Sequence, residues 1–445
     1  MALGSQSTET QAITDLTGLA HEVFSEDVKW QVRAESPTSQ LFGRAQRRAD
    51  YRVQGEALVG AAQLRYANGA MATGGKLPDH IHQDAVQWQI TPVRRYRRIA
   101  RDPFTAARAT GDGAFEDFTA RIFDQLWDSW GRMEIRHAIG DSRGYVALCD
   151  SRDSQTKIHV KDGYGHAGTN PMMHIEPKGT TLAWLDASNT FAVGGAAKVD
   201  SVDWSNYEIT FDSDFDDGST TIASDDPVVM ATTDDSTASH FETEYNNAPN
   251  GVGDILDPDD NLNTVFNINE TTHERWKPFR QSSSTFDQFE LAEHWRALKS
   301  YSNAPVTAGT HTAVAQSAPV SELARTLGPY QQQQQMGRTF EGGYTAVRIS
   351  FLGGQPMDFV EDDYFYHDVV ATLCYEDMYR ADLEGDADFY DNDGSMWSRL
   401  PDEDKEEAYV REYLQCWADR RNRMAALTDI TLSNVDADTF SPVPR

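Results

Sequence analysis

Two short stretches of the sequence are rich in side chains that can bind divalent metal ions, one in histidine and aspartate and the other in aspartate alone. The first place holds Asp79, His80, His82 and Asp84, and the second holds Asp386, Asp388, Asp391 and Asp393, followed by Gly394. The first group implies no third ligand from a distant segment, and the second lacks the spacing and closing glutamate of an EF-hand loop. We therefore interpret both as polar loops and expect no metal or other cofactor.

Arginine is concentrated in one part of the chain. Arg94, Arg95, Arg97 and Arg98 surround Tyr96, and Arg44, Arg47 and Arg48 lie upstream. Arginine beside an aromatic ring can bind phosphates and bases, and it can equally dock onto carboxylates of a protein neighbour. We favour docking in an intersubunit contact, because a chain with a net charge of −31 is repelled by DNA as a whole.

Motifs that carry catalysis are missing from the sequence. It has no GxSxG, no P-loop, no glycine-rich dinucleotide motif after a strand, and no HExxH. Its three cysteines, Cys149, Cys374 and Cys416, are too far apart to indicate a zinc site or a disulfide framework. We predict that the chain is not an enzyme and that the cysteines are buried.

Two strands and a long helix should position the arginines. Residues 51–64 and 86–99 read as strands of a long hairpin, with Val86, Trp88 and Ile90 alternating with polar residues. A lone hairpin of this length is marginal in water, so it should lie against another molecule. Residues 114–139 have apolar side chains at steps of three and four and predict a helix that ends before Gly140.

The rest of the chain reads as β-rich with two shorter helices. Alternation at Tyr207, Ile209 and Phe211 predicts a strand inside a β-rich region that spans residues 145–247. One helix should begin with a capping box at Thr285 and Gln288 and bury Phe289, Ala292 and Trp295; a shorter helix should lie near residues 321–327. Strands are predicted at 344–351 and 364–374, an acidic loop at 382–404, and a strand and helix mixture at 407–432.

The charge composition indicates adaptation to high salt. Lysine is scarce, with 9 Lys against 30 Arg, and the acidic residues are mostly aspartate, with 46 Asp against 24 Glu. Molar salt screens charge repulsion within about 3 Å, so a strongly acidic surface is tolerated there and keeps a protein dissolved. A merely acidic protein from an ordinary environment is the alternative. The segment up to Arg101 is slightly positive, and this asymmetry favours self-association.

Several local patterns resemble one viral protein family. They are the strand pair at 202–211 and 222–229, the glycine-led loop at 251–255 before Trp276, and the segments 289–298, 317–320, 351–356 and 420–430. Together with an arm, a long hairpin and a long helix in that order, they resemble the major capsid proteins of tailed double-stranded DNA viruses, and the halophilic composition suggests a haloarchaeal or other halophilic tailed virus. The departure at Ser224, where the family usually has glycine, lies within the second strand.

The resemblance implies an α+β fold of the Hong-Kong-ninety-seven type. It implies an N-terminal arm at 1–48, an extended β-hairpin loop at 49–101 and the first part of a peripheral domain, with a spine helix, at 102–150. An axial domain with β-rich insertions then covers 151–395, and the peripheral domain closes at 396–445. No long helical region precedes the arm, so we expect a separate scaffolding protein or an already processed chain.

The function implied by the resemblance is structural. Copies of the chain would assemble into hexamers and pentamers of an icosahedral virion capsid, in the host cytoplasm and without a membrane. Expected partners are portal, scaffolding and decoration proteins, and double-stranded DNA packaged without sequence specificity. Some relatives join neighbouring subunits by a Lys–Asn cross-link, and Lys76 is the lysine of the extended loop. We favour an ordinary exposed lysine at this position.

A cellular nanocompartment shell of the same fold and a salt-adapted β-rich hydrolase stay open as alternatives.

Overall fold

The computed structural model describes residues 36–44, 52–54, 57–63, 85–101, 112–175, 179–216, 221–235, 237–284, 286–302, 304–307, 310–327, 338–339, 345–349, 357–382, 388–389, 398–399 and 406–431. These residues form mostly strands with a few helices, so the predicted α+β class is confirmed.

The helices and strands of the described residues have the following bounds. The helices are α1 Pro37–Gln40, α2 Asp112–Ile139, α3 Val252–Leu256, α4 Gln288–Ser302 and α5 Ser317–Leu327. The strands are β1 Gly43–Arg44, β2 Arg52–Gln54, β3 Ala57–Gln63, β4 Ala85–Ile90, β5 Val93–Arg101, β6 Tyr145–Ser154, β7 Lys157–Lys161, β8 Thr181–Asp186, β9 Ala192–Asp203, β10 Glu208–Phe211, β11 Pro227–Met230, β12 Thr264–Val265, β13 Ile268–Asn269, β14 Phe279–Ser282, β15 His311–Ala315, β16 Arg338–Thr339, β17 Thr345–Ile349, β18 Met357–Glu361, β19 Val370–Cys374, β20 Met378–Asp382, β21 Asp388–Phe389, β22 Ser398–Arg399, β23 Glu406–Ala418 and β24 Ala425–Thr428.

The predicted long helix is confirmed as α2, which has 28 residues and is called the spine helix below. It packs against a six-stranded sheet built around β23, which pairs with β5, β20, β21 and β22. Trp127 and Trp130 of the helix are buried in one cluster with Val410 of β23. The helix ends before Gly140, and the following turn requires Gly144, whose φ of +70° disfavours any side chain.

The predicted strand at 86–99 is wrong as a single strand, because Thr91 and Pro92 divide it into β4 and β5. Strand β4 pairs with β3 in a separate three-stranded sheet, β2-β3-β4, whereas β5 pairs with β23. Proline lacks the N–H that a continuous ladder needs, so the chain changes partners there. The hairpin region therefore ends at β4, and the arginines of β5 belong to the six-stranded sheet.

The six strands β6 to β11 form a closed barrel in the order β10-β7-β6-β11-β8-β9. The strand predicted from the alternation is confirmed as β10, with Ile209 and Phe211 buried. Trp184 lies in the barrel core and donates from Nε1 to the Phe215 carbonyl at 3.1 Å. A Cβ at Gly194 would lie 2.1 Å from its ring, so only glycine leaves room for this tryptophan.

A seven-stranded sheet, β14-β24-β19-β15-β18-β17-β16, carries helices α4 and α5. Helix α4 confirms the predicted helix, with Ala292 and Trp295 buried as predicted together with Leu291 and Leu298, but Phe289 is exposed. Asp287 caps it by accepting hydrogen bonds from the next backbone N–H groups, and Thr285 lies outside the described residues. The strand predicted at 364–374 is shorter, since residues before Val370 form turns, and β18 was not predicted.

The predicted strand and helix mixture at 407–432 is wrong in its helical part. Strand β23 runs for 13 residues, and a short 3-10 turn separates it from β24. Ala408, Val410, Glu412 and Leu414 are buried, whereas Tyr409, Arg411 and Tyr413 between them are half-buried, and this period of two is that of a strand. The acidic loop contributes the short strands β21 and β22 to the same sheet, and its other residues lie outside the described ranges.

Residues 36–44 of the predicted arm are held against the body. The Ser36 hydroxyl and the Thr38 backbone N–H donate to Asp362 at 2.6 and 3.1 Å, and all three residues are buried. Strand β1 pairs in parallel with β20. Leu41 and Phe42 join the largest hydrophobic cluster, which also contains Trp88 and the end of the spine helix. This stretch is thus part of the folded core.

The order of elements is the one that the resemblance implied: an arm, a hairpin, a long helix and then β-rich structure. The proposed domain boundaries stay predictions, and the boundary at 396 divides two sheets. Strand β20 precedes the boundary at 396 but lies in the six-stranded sheet, whereas β24 follows it and lies in the seven-stranded sheet. All three cysteines are buried, as predicted.

Candidate functional site

The arginine-rich strand β5 is paired with β23 along its whole length. The register places Arg94 opposite Tyr413, Arg95 opposite Glu412 and Arg98 opposite Tyr409. Successive side chains of a strand point to opposite faces of the sheet. The four arginines predicted as one contact surface are therefore divided between two faces, with Arg95 and Arg97 on one face and Arg94 and Arg98 on the other.

Arg95 is buried inside the subunit. Its guanidinium forms an ion pair with Glu412 and lies 5.2 Å from the centre of the Trp130 ring on the spine helix. Only 4% of the residue is exposed. The prediction that Arg95 contacts a neighbouring subunit is therefore wrong for this geometry, because its partner lies directly across the strand pair.

The same ion pair belongs to a network that joins the sheet to the spine helix. Arg380 of β20 pairs with Glu412 and also with Glu134 of the helix, and all of these groups are at least mostly buried. Nearby, Arg136 pairs with Glu244 at 2.7 Å. Burying a charge costs desolvation free energy, and a buried ion pair offsets that cost only while every partner is present. These arginines thus orient the helix on the sheet.

The opposite face of β5 and β23 carries alternating arginine and tyrosine, and we call it the arginine–tyrosine face. Its members are Arg94, Tyr96, Arg98, Tyr409, Arg411 and Tyr413. The guanidinium carbons of Arg94 and Arg411 lie 5.9 and 5.6 Å from the Tyr413 ring centre. Tyr96 lies 6.4 Å from both other tyrosine rings, and its hydroxyl is 3.3 Å from that of Tyr413.

Exposure separates the predicted arginines further. Arg94 and Arg98 are exposed, and half of Tyr96 is exposed. Arg98 pairs with Glu407 at 3.3 Å, with 70% of its side chain exposed. Arg97 is exposed on the other face of the sheet. Sequence inspection found the residues on β5 but missed those on β23, because more than 300 residues separate the two strands.

The other predicted site residues have fewer described features. The backbone of Arg44 lies in β1, opposite Arg380 of β20, whereas Arg47 and Arg48 lie outside the described residues. Lys76, with Asp79, His80, His82 and Asp84, also lies outside them. In the second aspartate group only Asp388 is described, in the short strand β21. The interpretation of Lys76 as an ordinary exposed lysine, with a cross-link as the alternative, stays a prediction, and so does the interpretation of both groups as polar loops, apart from Asp388, which lies in a strand.

The hairpin sheet is anchored to the body at its root. Trp88 and Ile90 of β4 are buried, and the Trp88 ring lies 5.6 Å from that of Trp417 in β23. The backbone N–H of Gln89 donates to the Phe266 carbonyl at 2.9 Å. Among the described residues, β2, β3 and β4 pair only with one another. The sheet therefore extends from the core without being part of a larger sheet.

A buried histidine joins three distant segments, and sequence inspection did not find it. His166, in the loop between β7 and β8, is 2.8 Å from Asp259 through Nδ1 and 2.6 Å from Asp368 through Nε2. Burial alone would lower its pKa, but the hydrogen bonds to the two carboxylates outweigh burial and raise the pKa to about 9. His166 therefore carries a positive charge at neutral pH and clamps the barrel loop to the body.

Two groups of side chains come close enough to hold a cation. They are Asp153, His159 and Glu208 on the barrel, and Asp257, Asp260 and Glu270 near α3. Protein cations already pair with acids of both groups, since Lys157 pairs with Glu208, and Arg280, Lys277 and Arg421 pair with the acids of the second group. We interpret both as ion-pair networks.

Within the part of the chain that the structure describes, no helix has the length and apolar character needed to cross a membrane.

No protein-family model and no curated protein matches this sequence. Solved structures with some similarity include a capsid asymmetric unit of cyanophage A-1(L), 12% identical, which covers 89% of this chain and 93% of its own with a TM-score of 0.45. The procapsid of satellite phage P4 is 10% identical and covers 96% and 98%, with a TM-score of 0.36. A SrpI encapsulin complex from Synechococcus elongatus is 7% identical and covers 35% and 55%, with a TM-score of 0.27. These similarities are too remote to carry a functional assignment.

Proposed function

We propose that the chain is the major capsid protein of a tailed double-stranded DNA virus and builds a shell of hexamers and pentamers. One observation carries this proposal: the hairpin sheet is rooted in the core at Trp88 and Ile90, yet its strands pair only with one another among the described residues. A small sheet of this kind gains stability when another surface covers it. A neighbouring copy would supply that surface. The role is structural and not catalytic.

The spine helix and the six-stranded sheet support the same proposal. Contacts between the subunits of a shell transmit force from one subunit to the next. The network of Arg95, Glu412, Arg380 and Glu134 holds the spine helix on the six-stranded sheet, which the chain enters directly after the hairpin sheet. The chain passes directly from β4 to β5 across Thr91 and Pro92. A load on the hairpin would therefore reach the body through the connection from β4 to β5 and through the contact of Trp88 with Trp417.

Electron microscopy of the purified protein tests the proposal. We expect closed icosahedral particles from the wild-type chain. Deleting residues 65–84, between β3 and β4, should leave a folded subunit that forms no stable particles. Circular dichroism of the deletion variant checks its fold. Particles at normal yield from that variant would contradict the assignment of the hairpin as an intersubunit element.

The contents of the particles distinguish a virion from a cellular nanocompartment. We propose that the shell encloses double-stranded DNA without sequence specificity, and that assembly in the host cytoplasm uses portal, scaffolding and decoration proteins. Nuclease-resistant DNA inside particles from infected cells supports the virion. A protein cargo in place of DNA would favour the nanocompartment.

We further propose that the virus infects a halophilic host. The composition supports this, because 70 acidic residues against 39 basic ones leave a charge of −31 on each subunit. Adjacent subunits repel one another, and the range of that repulsion grows from about 3 Å in molar salt to about 30 Å at low ionic strength. Survival of the isolated shell at different salt concentrations tests this proposal.

A further inference from the structure

We propose that the arginine–tyrosine face docks onto a carboxylate-rich surface of a second copy of this chain, an inference that rests on the proposed shell function. The face is a defined surface on the outer side of β5 and β23. It carries the arginines Arg94 and Arg98 on β5 and Arg411 on β23, in a chain whose overall charge is −31.

The arginines of this face are presented to a partner. Arg94 is exposed and, within the described part of the chain, contacts the Tyr413 ring without pairing with a carboxylate. Arg98 keeps 70% of its side chain exposed despite its pair with Glu407. A guanidinium has five N–H donors in a planar fork, so one such contact leaves most of them available.

The tyrosine rings order the side chains of the arginine–tyrosine face in the unbound subunit. Tyr96 contacts the rings of Tyr409 and Tyr413, and Tyr413 also contacts Arg94 and Arg411. Side chains that are already ordered lose less conformational freedom on binding. Arginine and tyrosine are also the residue types enriched at the centres of protein interfaces, where lysine is depleted. Packing and composition thus both indicate a protein contact.

Charge complementarity identifies the occupant as another copy. The described barrel alone has exposed carboxylates at Asp150, Asp153, Asp212, Asp214 and Asp225. A basic face on one subunit and an acidic face on the next make a heterologous contact, and such contacts form rings such as hexamers and pentamers when the rotation between copies closes. DNA would meet repulsion from the net negative chain, whereas a second copy brings the complementary charge.

The contacts that the arginine–tyrosine face can make are also of the kind that persists at high salt concentration. Diffuse attraction between charged surfaces is largely lost when the Debye length is about 3 Å, and only groups in direct contact still interact. Arginine pairs with a carboxylate through two short hydrogen bonds and stacks on aromatic rings, so its contact does not depend on long-range attraction.

The test compares the wild-type chain with the double variant Arg94→Glu/Arg98→Glu in molar salt. The control is Arg97→Glu, which makes one such Arg-to-Glu charge reversal, half the charge change of the double variant, on the same strand but on the opposite face. Electron microscopy and sedimentation velocity measure assembly, and circular dichroism measures folding. We expect particles from the wild type and from Arg97→Glu, and loss of particles with a folded subunit from the double variant. If the double variant does not fold, Arg94→Gln/Arg98→Gln should raise the concentration needed for assembly by at least about tenfold.

Normal particles from the double variant would overturn the inference, and so would an equal loss from Arg97→Glu. Normal shells that fail to retain DNA would assign the face to the genome and also overturn it. If the wild type forms no shells, the proposed function fails, and sedimentation velocity still tests whether the arginine–tyrosine face binds a second copy. Oligomers of the wild type that the double variant lacks would support the contact, and equal self-association would contradict it.

Discussion

Replacing His166 with glutamine removes the charged ring that clamps the barrel loop to two segments of the body. In the wild type the two ring nitrogens of His166 lie 2.8 and 2.6 Å from Asp259 and Asp368. Both nitrogens can donate to carboxylates at once only when the imidazole is protonated. Glutamine cannot carry that charge, so the variant leaves the two carboxylates without a cation between them.

The magnitude follows from the pKa of His166, which rises from 6.5 to about 9 in the folded protein. This difference corresponds to about 3 kcal/mol of stabilisation of the clamped state. Since the folded pKa is raised above the unfolded one, the stabilisation is fully present below about pH 6.5 and is lost as the pH rises through about 9. The pKa of Asp254, raised to about 7 by burial first and then by Asp141, affects wild type and variant alike.

Amide hydrogen exchange of the segment 162–170 measures the effect locally, which avoids assuming that the whole chain unfolds in one step. The backbone N–H of Gly163 donates to the Thr169 carbonyl at 2.8 Å and reports opening of this loop. Near pH 6 we expect the wild type to be protected about 100-fold more than His166→Gln. Near pH 9.5 the two should exchange at nearly equal rates, because His166 has lost its proton.

His273→Gln is the matched control, because the His273 side chain makes no hydrogen bond within the described residues and the substitution is the same. Its exchange at 162–170 should equal that of the wild type at every pH. A wild-type excess of protection that stays constant between pH 6 and 9.5 would refute a charged clamp. Such a result would assign the contribution of His166 to packing.

Three further outcomes are expected. Arg95→Met should lower the free energy of unfolding by about 3 kcal/mol because it leaves Glu412 with one cation fewer, whereas Arg94→Met should lower it by less than about 1 kcal/mol. Urea denaturation followed by tryptophan fluorescence measures the free energy of unfolding of both variants. Equal effects of the two substitutions would contradict the burial of Arg95. Trp88→Ala should cost about 3–5 kcal/mol by emptying the site against Trp417, and protease should then cut the hairpin region faster; unchanged cleavage would show that Trp88 is not its anchor. Dilution of shells into low salt without divalent ions should dissociate them, as light scattering would show, and shells that persist for days would count against salt adaptation.

Much of the fold was predictable where neighbouring residues carry the signal. The spine helix was predicted within two residues of its start, because apolar side chains at helical spacing must share one face. The strand at Glu208–Phe211 followed from alternation for the same reason. The C-terminal strand β23 was predicted only in part, since its aromatic and charged residues also suit a helix. Its strand partners, β5 and β20, decide in favour of extended structure.

The candidate site was predictable in residue type but not in arrangement. Arg94, Arg95, Arg97 and Arg98 look equivalent in the sequence, yet the pleat of β5 separates them and burial assigns Arg95 to an internal ion pair. The division at Thr91 and Pro92 moved them from the predicted hairpin to the six-stranded sheet. The tyrosines and the arginine on β23 were invisible because their proximity depends on a strand pairing across more than 300 residues.

The sequence alone determined the properties that are local or additive: the helical and strand periodicities, the acidic charge and the burial of the cysteines. Only the tertiary structure decided which side chains meet. Glu412 is the partner of Arg95, and Asp259 and Asp368 are the partners of His166, over separations of 317, 93 and 202 residues. The physical reason is that an ion pair or a hydrogen bond requires contact within a few ångströms, and contact between distant segments depends on how all the intervening elements pack.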